Sequence, residues 1–332
     1  MRALLTAILV AVLLGACSTD DTLGGPAFTP SASPDVQIPD GWRWESYRGV
    51  EVAVPGDWGS TNASQRIGQW CVDRQRDREP AIGRPGASTL VGCGLGETAS
   101  PSPETLIVNT GIIVAFEDAF MGDGTPMPIS RGGDREVVRI RDVYVIVQVP
   151  QPLRGQIAAT VRVADVDANE CPATDPVSRD VDRRPEVPAD IAGLRGIQRV
   201  SACKYALLQE PGDDQECPTL ISSTAVVGDD AFRLVRQIAK APEGGGPNSP
   251  QNCLAESSRG DEIVVLRITS AERVATVHVR YGGCDHHGFD DGVVLRGLVR
   301  EPLEAILAGA NLVEDWDGDL FRALDGDFRP EH

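Results

Sequence analysis

Lysine is almost absent from this sequence: Lys204 and Lys240 are the only two among 332 residues, and arginine supplies the rest of the 31 basic residues. Aspartate and glutamate together number 49, which gives a formal net charge of −18. A surface this acidic repels the phosphate backbone of nucleic acids. The composition therefore argues against nucleic acid as a partner.

Histidine is also scarce, and this scarcity limits the catalytic chemistry that the chain is expected to perform. The four histidines are His278, His286, His287 and His332, so most of the chain has no imidazole to activate a nucleophile. The G-x-S-x-G and H-E-x-x-H patterns are absent, and no dinucleotide or P-loop fingerprint occurs. We expect no cofactor. Carboxylates are abundant, so a hydrolase that uses a carboxylate pair remains an alternative.

Long apolar runs are missing except at the start of the chain. Residues 3–14 read ALLTAILVAVLL and follow the positive charge of Arg2. Twelve residues of helix span about 18 Å, which is too short for a hydrocarbon core of roughly 30 Å. An apolar run of this length behind a positive charge is typical of a signal peptide. We therefore expect residues 1–16 to be removed on export.

The apolar run closes with Leu14-Gly15-Ala16-Cys17. These four residues resemble the lipobox of bacterial lipoprotein precursors, which implies cleavage before Cys17 and a diacylglyceryl group on its sulfur. Two or more acyl chains anchor a protein stably, so the implied location is the outer face of the cytoplasmic membrane. Gly15-Ala16 also suits an ordinary signal peptidase, which leaves secretion as the alternative. The arginine-rich remainder resembles secreted lipoproteins of high-GC Gram-positive bacteria.

Composition divides the rest of the chain into segments. Residues 17–39 are rich in Ser, Thr, Pro, Gly and Asp and are predicted to form a flexible tether. Strand and helix patterns follow at 40–172 and at 199–312. Residues 173–198, rich in Pro, Asp and Arg, are interpreted as a linker, and 313–332 form an acidic tail. The length fits two domains better than one.

The hydrophobic patterns predict an α+β fold in which each domain is a mainly antiparallel sheet with one or two helices. In the first domain, alternation predicts two strands, one with Val50, Val52 and Val54 and one with Val143, Val145, Val147 and Val149. Helical spacing predicts a helix at the end of this domain, with Leu153, Ile157, Ala158 and Val161 on one face. The segment VAVPGDW and the late helix resemble the PsbP-like α+β fold.

The second domain shows the same two patterns. Helical spacing after Gly228 predicts a helix whose buried face holds a set of small and aliphatic residues, namely Ala231, Leu234, Val235, Ile238 and Ala239. Residues 261–270 and 272–281 are predicted to form an antiparallel pair, and Thr276, His278 and Arg280 to share its exposed face. A short helix is predicted over 301–310.

Seven cysteines follow Cys17, and outside the cytoplasm they are expected to form disulfides instead of metal sites. No C-x-x-C spacing occurs, which weakens a zinc or thioredoxin-like role. The favoured pairs are Cys71–Cys93 and Cys253–Cys284, with Cys203–Cys217 as a weaker third. That assignment leaves Cys171 as the unpaired cysteine.

The densest polar cluster is the sequence Cys284-Asp285-His286-His287-Gly288-Phe289-Asp290-Asp291. Two imidazoles and several carboxylates are ligands that zinc accepts, which makes Asp285, His286, His287 and Asp290 weak metal candidates. Adjacent histidines seldom reach one metal from regular structure, and the glycines nearby favour a solvated loop. A metal-binding lipoprotein therefore stays an alternative function.

Asp165-Val166-Asp167-Ala168-Asn169 begins like a calcium loop, but Glu170 stands where that loop requires glycine. We interpret it as a polar connector. No catalytic residue can be named, and Cys17 is the one residue whose role follows from a mechanism. The sequence thus favours a non-enzymatic lipoprotein that binds or scaffolds an envelope protein or a cell-wall ligand.

Overall fold

The computed structural model describes residues 36–60, 80–85, 112–119, 135–180, 182–208, 218–245, 261–282 and 287–313, together with Leu320 and Leu324. Within these residues the fold is α+β, as the patterns predict, with three sheets and few helices. None of the described helices is long and apolar enough to cross a membrane.

Two sheets are built from the first part of the chain. A three-stranded antiparallel sheet has the order β1-β2-β8 and comprises Trp42–Tyr47, Val50–Pro55 and Arg162–Val163. A five-stranded sheet has the order β3-β4-β5-β7-β6 and comprises Gly59–Ser60, Ala81–Gly83, Ile113–Asp118, Val143–Gln148 and Arg135–Ile140. Its strands β3, β4 and β5 run parallel, whereas β7 pairs antiparallel with both β5 and β6, so the first part is mainly antiparallel, as predicted.

The core of this first part lies between its two sheets and the short helix α1 (Leu153–Ala158). The alternating valines of β2 and β7 enter it as predicted, together with Ile157 of α1. Trp58 is buried in the same core, and Trp42 packs against it. The guanidinium of Arg162 stacks on the ring of Trp44, with its central carbon 3.9 Å from the ring centre.

The second part forms a six-stranded antiparallel sheet. Its order is β10-β9-β11-β12-β13-β14, comprising Leu220–Val227, Ile197–Ala206, Glu262–Ser270, Val274–Arg280, Gly288–Asp290 and Leu295–Arg296. The predicted pairing of β11 with β12 is confirmed, with Leu266 opposite Val277.

One face of this sheet, here called the helix face, packs against α2 (Gly228–Lys240) and α3 (Arg300–Ile306). The residues that α2 buries are four of those predicted: Ala231, Leu234, Val235 and Ile238. Asp229 and Asp230 stand in its first turn and Lys240 in its last, which suits the helix dipole. Leu320 and Leu324 of the C-terminal segment also contact this core.

The opposite face is covered by a segment that the composition assigns to a linker. We call it the strap, residues 171–180 and 182–188. It begins at Cys171, places Val177 against Tyr205 and Val265, and continues across β12 and β13. Residues 189–194 then turn to the helix face, where Ile191 and Leu194 join the core. The composition of this segment indicates a flexible linker, but the apolar residues between its prolines and charged residues pack against the sheet.

The strap begins with a disulfide between Cys171 and Cys203, which are both fully buried. The predicted pair Cys203–Cys217 is therefore wrong, and so is the assignment of Cys171 as unpaired. Nearness in the sequence favoured the wrong partner for Cys203, because β9 places Cys203 next to Cys171 at the end of the first part. The Cα atoms of Cys171 and Cys203 are 5.5 Å apart. Cys17, Cys71, Cys93, Cys217, Cys253 and Cys284 lie outside the described residues.

Candidate functional site

The candidate site lies beneath the far end of the strap, on β12 and β13. Ala275, Val277 and Val279 of β12 point to the helix face. Because side chains alternate along a strand, Thr276, His278 and Arg280 point to the opposite face, which the strap covers. The prediction that His278 is exposed is wrong, because only 4% of its surface reaches solvent. Sequence alternation assigns a side chain to a face but does not reveal what covers that face.

His278 and Arg280 hold the strap through one backbone oxygen. The carbonyl of Arg183 lies 3.0 Å from His278 Nδ1 and accepts a hydrogen bond from Arg280 Nη2 at 3.0 Å. Because a carbonyl oxygen can only accept, the bonded Nδ1 carries the ring proton and Nε2 is the nitrogen left to take up a second one. Burial, reinforced by the charge of Arg280, lowers the pKa of His278 to about 4.

Asp290 fastens the strap through a second contact. It pairs with His278 in the register of β13 against β12 and accepts hydrogen bonds from Arg184 Nε and Nη2 at 2.8 and 2.6 Å. Burial alone would raise the pKa of this carboxyl, but the bonds from Arg184 and the Gly292 amide hold it below its usual range. The fork of Arg184 on one carboxylate gives a charged, geometrically defined contact.

Asp291 and Arg296 form a buried ion pair next to this contact. Asp291 is fully buried, and Arg296 Nη1 donates to its Oδ2 at 2.7 Å. The same carboxylate accepts from the backbone amides of Ile191, Val293 and Val294. A buried carboxylate with four donors is well satisfied, so this pair fixes the turn that follows β13.

The strap approaches this turn so closely that only glycine fits. Gly292 has φ +82°, and a Cβ on it would lie 2.9 Å from Pro188 Cα and 3.3 Å from Pro185 O. Ala189 N donates to the carbonyl of Asp291 at 3.0 Å. The end of the strap is therefore seated on the turn by backbone as well as by side-chain contacts.

Two of the four metal candidates are described, and each has another contact. His287 is buried, and its Nε2 lies 3.2 Å from the carbonyl of Tyr281; burial lowers its pKa. Asp290 is paired with Arg184. Asp285 and His286 lie outside the described residues. Within the part of the chain that the structure describes, no group of three or more potential ligands is close enough to hold a metal ion.

A second buried cluster lies on the helix face at the end of the sheet. Lys204 Nζ is 2.8 Å from Glu262 Oε2, and the Tyr281 hydroxyl donates to the same oxygen at 2.7 Å. Ser201 and Lys204 stand in the Ser-x-x-Lys spacing of some acyl-transfer enzymes, a pattern that sequence reasoning missed. In a strand, residues three apart point to opposite faces, so this serine and this lysine do not form a catalytic pair.

The calcium-like segment is a closed turn, which agrees with its interpretation as a polar connector. Asp167 accepts hydrogen bonds from the amides of Asn169 and Cys171 at 2.9 and 2.8 Å and from the Ser223 hydroxyl at 2.5 Å. Its oxygens therefore serve the backbone and β10.

The residues beneath the strap hold it through hydrogen bonds and ion pairs, and the carboxylates of Asp290 and Asp291 are each paired with an arginine. Sequence reasoning named His278, Arg280 and Asp290 without bringing them together, and it missed Arg183, Arg184 and Arg296. The available signal was the adjacent pair Arg183-Arg184 in a segment rich in proline and acidic residues. Comparisons with protein-family models, with curated proteins and with solved structures found no match to this chain.

Proposed function

We propose that this chain is a lipoprotein that is exported, cleaved before Cys17 and held by lipid on the outer face of the cytoplasmic membrane. The observation that carries the proposal is Leu14-Gly15-Ala16-Cys17 directly behind an apolar run too short to span a bilayer. Lipid anchoring through Cys17 makes the membrane its first partner.

The buried disulfide Cys171–Cys203 supports export. Structural disulfides persist in oxidising compartments and are rare in the cytosol. The acidic composition supports a body that faces away from the membrane, because a chain with a formal net charge of −18 is repelled by anionic lipid. On a tether, such a body stands away from the bilayer and faces the cell wall.

The folded body acts by binding another envelope molecule, either a protein or a cell-wall ligand. The support is the state of the charged groups in the candidate site. Asp290 and Asp291 are each engaged by an arginine, Arg184 and Arg296 respectively. Because Arg184 holds the pKa of Asp290 below its usual range, this carboxylate is a poor general acid.

Cross-linking on intact cells tests the binding role. Amine-reactive reagents are unsuitable because the chain has two lysines and Lys204 is buried. A photoreactive amino acid placed singly at the exposed positions Phe232, Val274 and Val293 samples three surfaces instead. If the body binds a partner, we expect one cross-linked adduct that forms from one of these positions and not from the other two. The absence of adducts from every position, together with turnover of cell-wall material by the purified body, would contradict the proposal and favour the hydrolase.

A further inference from the structure

The two ends of the strap are fixed to the sheet in chemically different ways. At its start the Cys171–Cys203 disulfide is a covalent tie to β9. At its far end, Arg183 and Arg184 are held on β12 and β13 by hydrogen bonds and an ion pair. The contacts of Arg183 and Arg184 can therefore break while the disulfide on one side and the packed Ile191 and Leu194 on the other stay in place.

His278 is the member of the far end whose charge changes in mildly acidic solution. The charged groups that face it are Arg280 on its own strand, Asp290 on β13, and Arg183 and Arg184 on the strap. The neighbouring strand β11 presents the uncharged Val265 opposite it. A proton on Nε2 would thus place a second cation beside Arg280 in a site that is nearly closed to water.

We propose that residues 182–188 form an acid-responsive latch: protonation of His278 releases these residues from β12 and β13, while the disulfide at Cys171 and the buried Ile191 and Leu194 keep the flanking segments in place. Release uncovers the polar face of β12 and β13, where Thr276, His278, Arg280 and Asp290 then become accessible. The strap can open without loss of the fold because it is held by a disulfide in one place and by a titratable contact in another.

The direction of the pH effect follows from proton linkage. His278 binds a proton less readily when the strap is closed than when it is open, because closure buries it next to Arg280. Closure is therefore favoured above the ordinary pKa of histidine, near 6.5, and is weakened progressively as the pH falls towards the pKa of about 4 in the closed state. A single proton makes the opening constant rise by at most tenfold per pH unit, about 300-fold in all.

Hydrogen–deuterium exchange of the full chain between pH 7 and pH 3.5, corrected for the intrinsic exchange rate, measures this opening. The reporters are the amides of Arg183 and Ala189, which donate to Asp180 O and Asp291 O. The reference is β9, whose amides report global unfolding. The latch predicts that exchange in 182–189 accelerates below pH 6.5 while β9 stays protected.

Four variants separate the latch from general acid sensitivity. His278→Gln and His278→Asn keep a side-chain donor for the Arg183 carbonyl but do not titrate in this range, so their strap exchange should be independent of pH. His332→Gln, the matched control, should behave as the wild type. Asp290→Asn should raise opening at every pH and keep the slope. A strap that opens with the same pH slope in both His278 variants, or only together with β9, would overturn the proposal.

Discussion

Asp291 and Asp165 show how strongly the surroundings of one carboxylate decide its contribution to stability. Asp291 has no exposed surface and is paired with Arg296, which is also buried. Asp165 pairs with Arg141 at 3.3 Å, but its side chain is 86% exposed and water screens the charges. Removing one partner of a buried pair leaves an uncompensated charge, whereas an exposed pair contributes little.

Replacement of Asp291 by alanine should therefore lower the free energy of unfolding by about 3 kcal/mol or more, because Arg296 would lose its partner and the amides of Val293 and Val294 their acceptor. The matched control Asp165→Ala should lower it by less than about 1 kcal/mol. Urea denaturation of the two variants measures both changes. Equal losses in the two variants would show that burial of the Asp291–Arg296 pair does not determine its contribution.

Single residues also show where sequence reasoning stops. Strand alternation separates the buried Val277 and Val279 from the face that holds Thr276, His278 and Arg280, because alternation is a local property. His278 was assigned wrongly to an exposed face, because the strap that covers it comes from residues about 95 positions earlier. The Cys171–Cys203 pair was missed for the same reason. Contacts between segments that are distant in the sequence cannot be inferred from local periodicity.

The strap is the element that differs most from its expected character. Its four prolines, at 172, 176, 185 and 188, and its charged residues have the composition of a free connection. Yet Val177 packs in a core and Cys171 is bonded to β9. By contrast, α2 was predicted with its buried residues, since thirteen residues with one apolar stripe give an unambiguous helical signal. Elements with a strong internal period are predictable, and elements ordered by tertiary contact are not.

The disulfide should contribute about 3–4 kcal/mol to stability, since it closes a sequence separation of 32 residues. The double variant Cys171→Ala/Cys203→Ala is expected to lose that amount relative to the oxidised wild type in urea denaturation. The single variant Cys171→Ala serves as the control, because it breaks the same bond and should lose a similar amount. A double variant as stable as the wild type would contradict the role of this bond as the fixed end of the strap.

At the scale of the whole molecule, the two parts of the chain are joined by more than their connection. Arg48 N donates to Leu220 O at 2.7 Å, and Ala168 N donates to the buried Glu51 at 2.6 Å. Arg84 Nη1 reaches Ala310 O at 3.4 Å. These contacts run from the first two sheets to the second part or to the segment that enters it.

Such a junction predicts that the two parts unfold together. Differential scanning calorimetry of residues 18–332 should show one transition whose calorimetric and van't Hoff enthalpies agree. In a variant that replaces Glu51 by alanine, the amide of Ala168 and Arg162 lose their acceptor, and the transition should move to lower temperature. Two separate transitions in the wild type would show that the parts are independent.

The most direct test of the central claim concerns Cys17. We expect mass spectrometry of the mature protein, isolated from membranes, to find Cys17 as the first residue and to show the added mass of a diacylglyceryl group on its sulfur. Replacement of Cys17 by alanine should abolish both the lipid and the membrane association. A mature chain that begins at another residue, or that begins at Cys17 without lipid, would contradict the account.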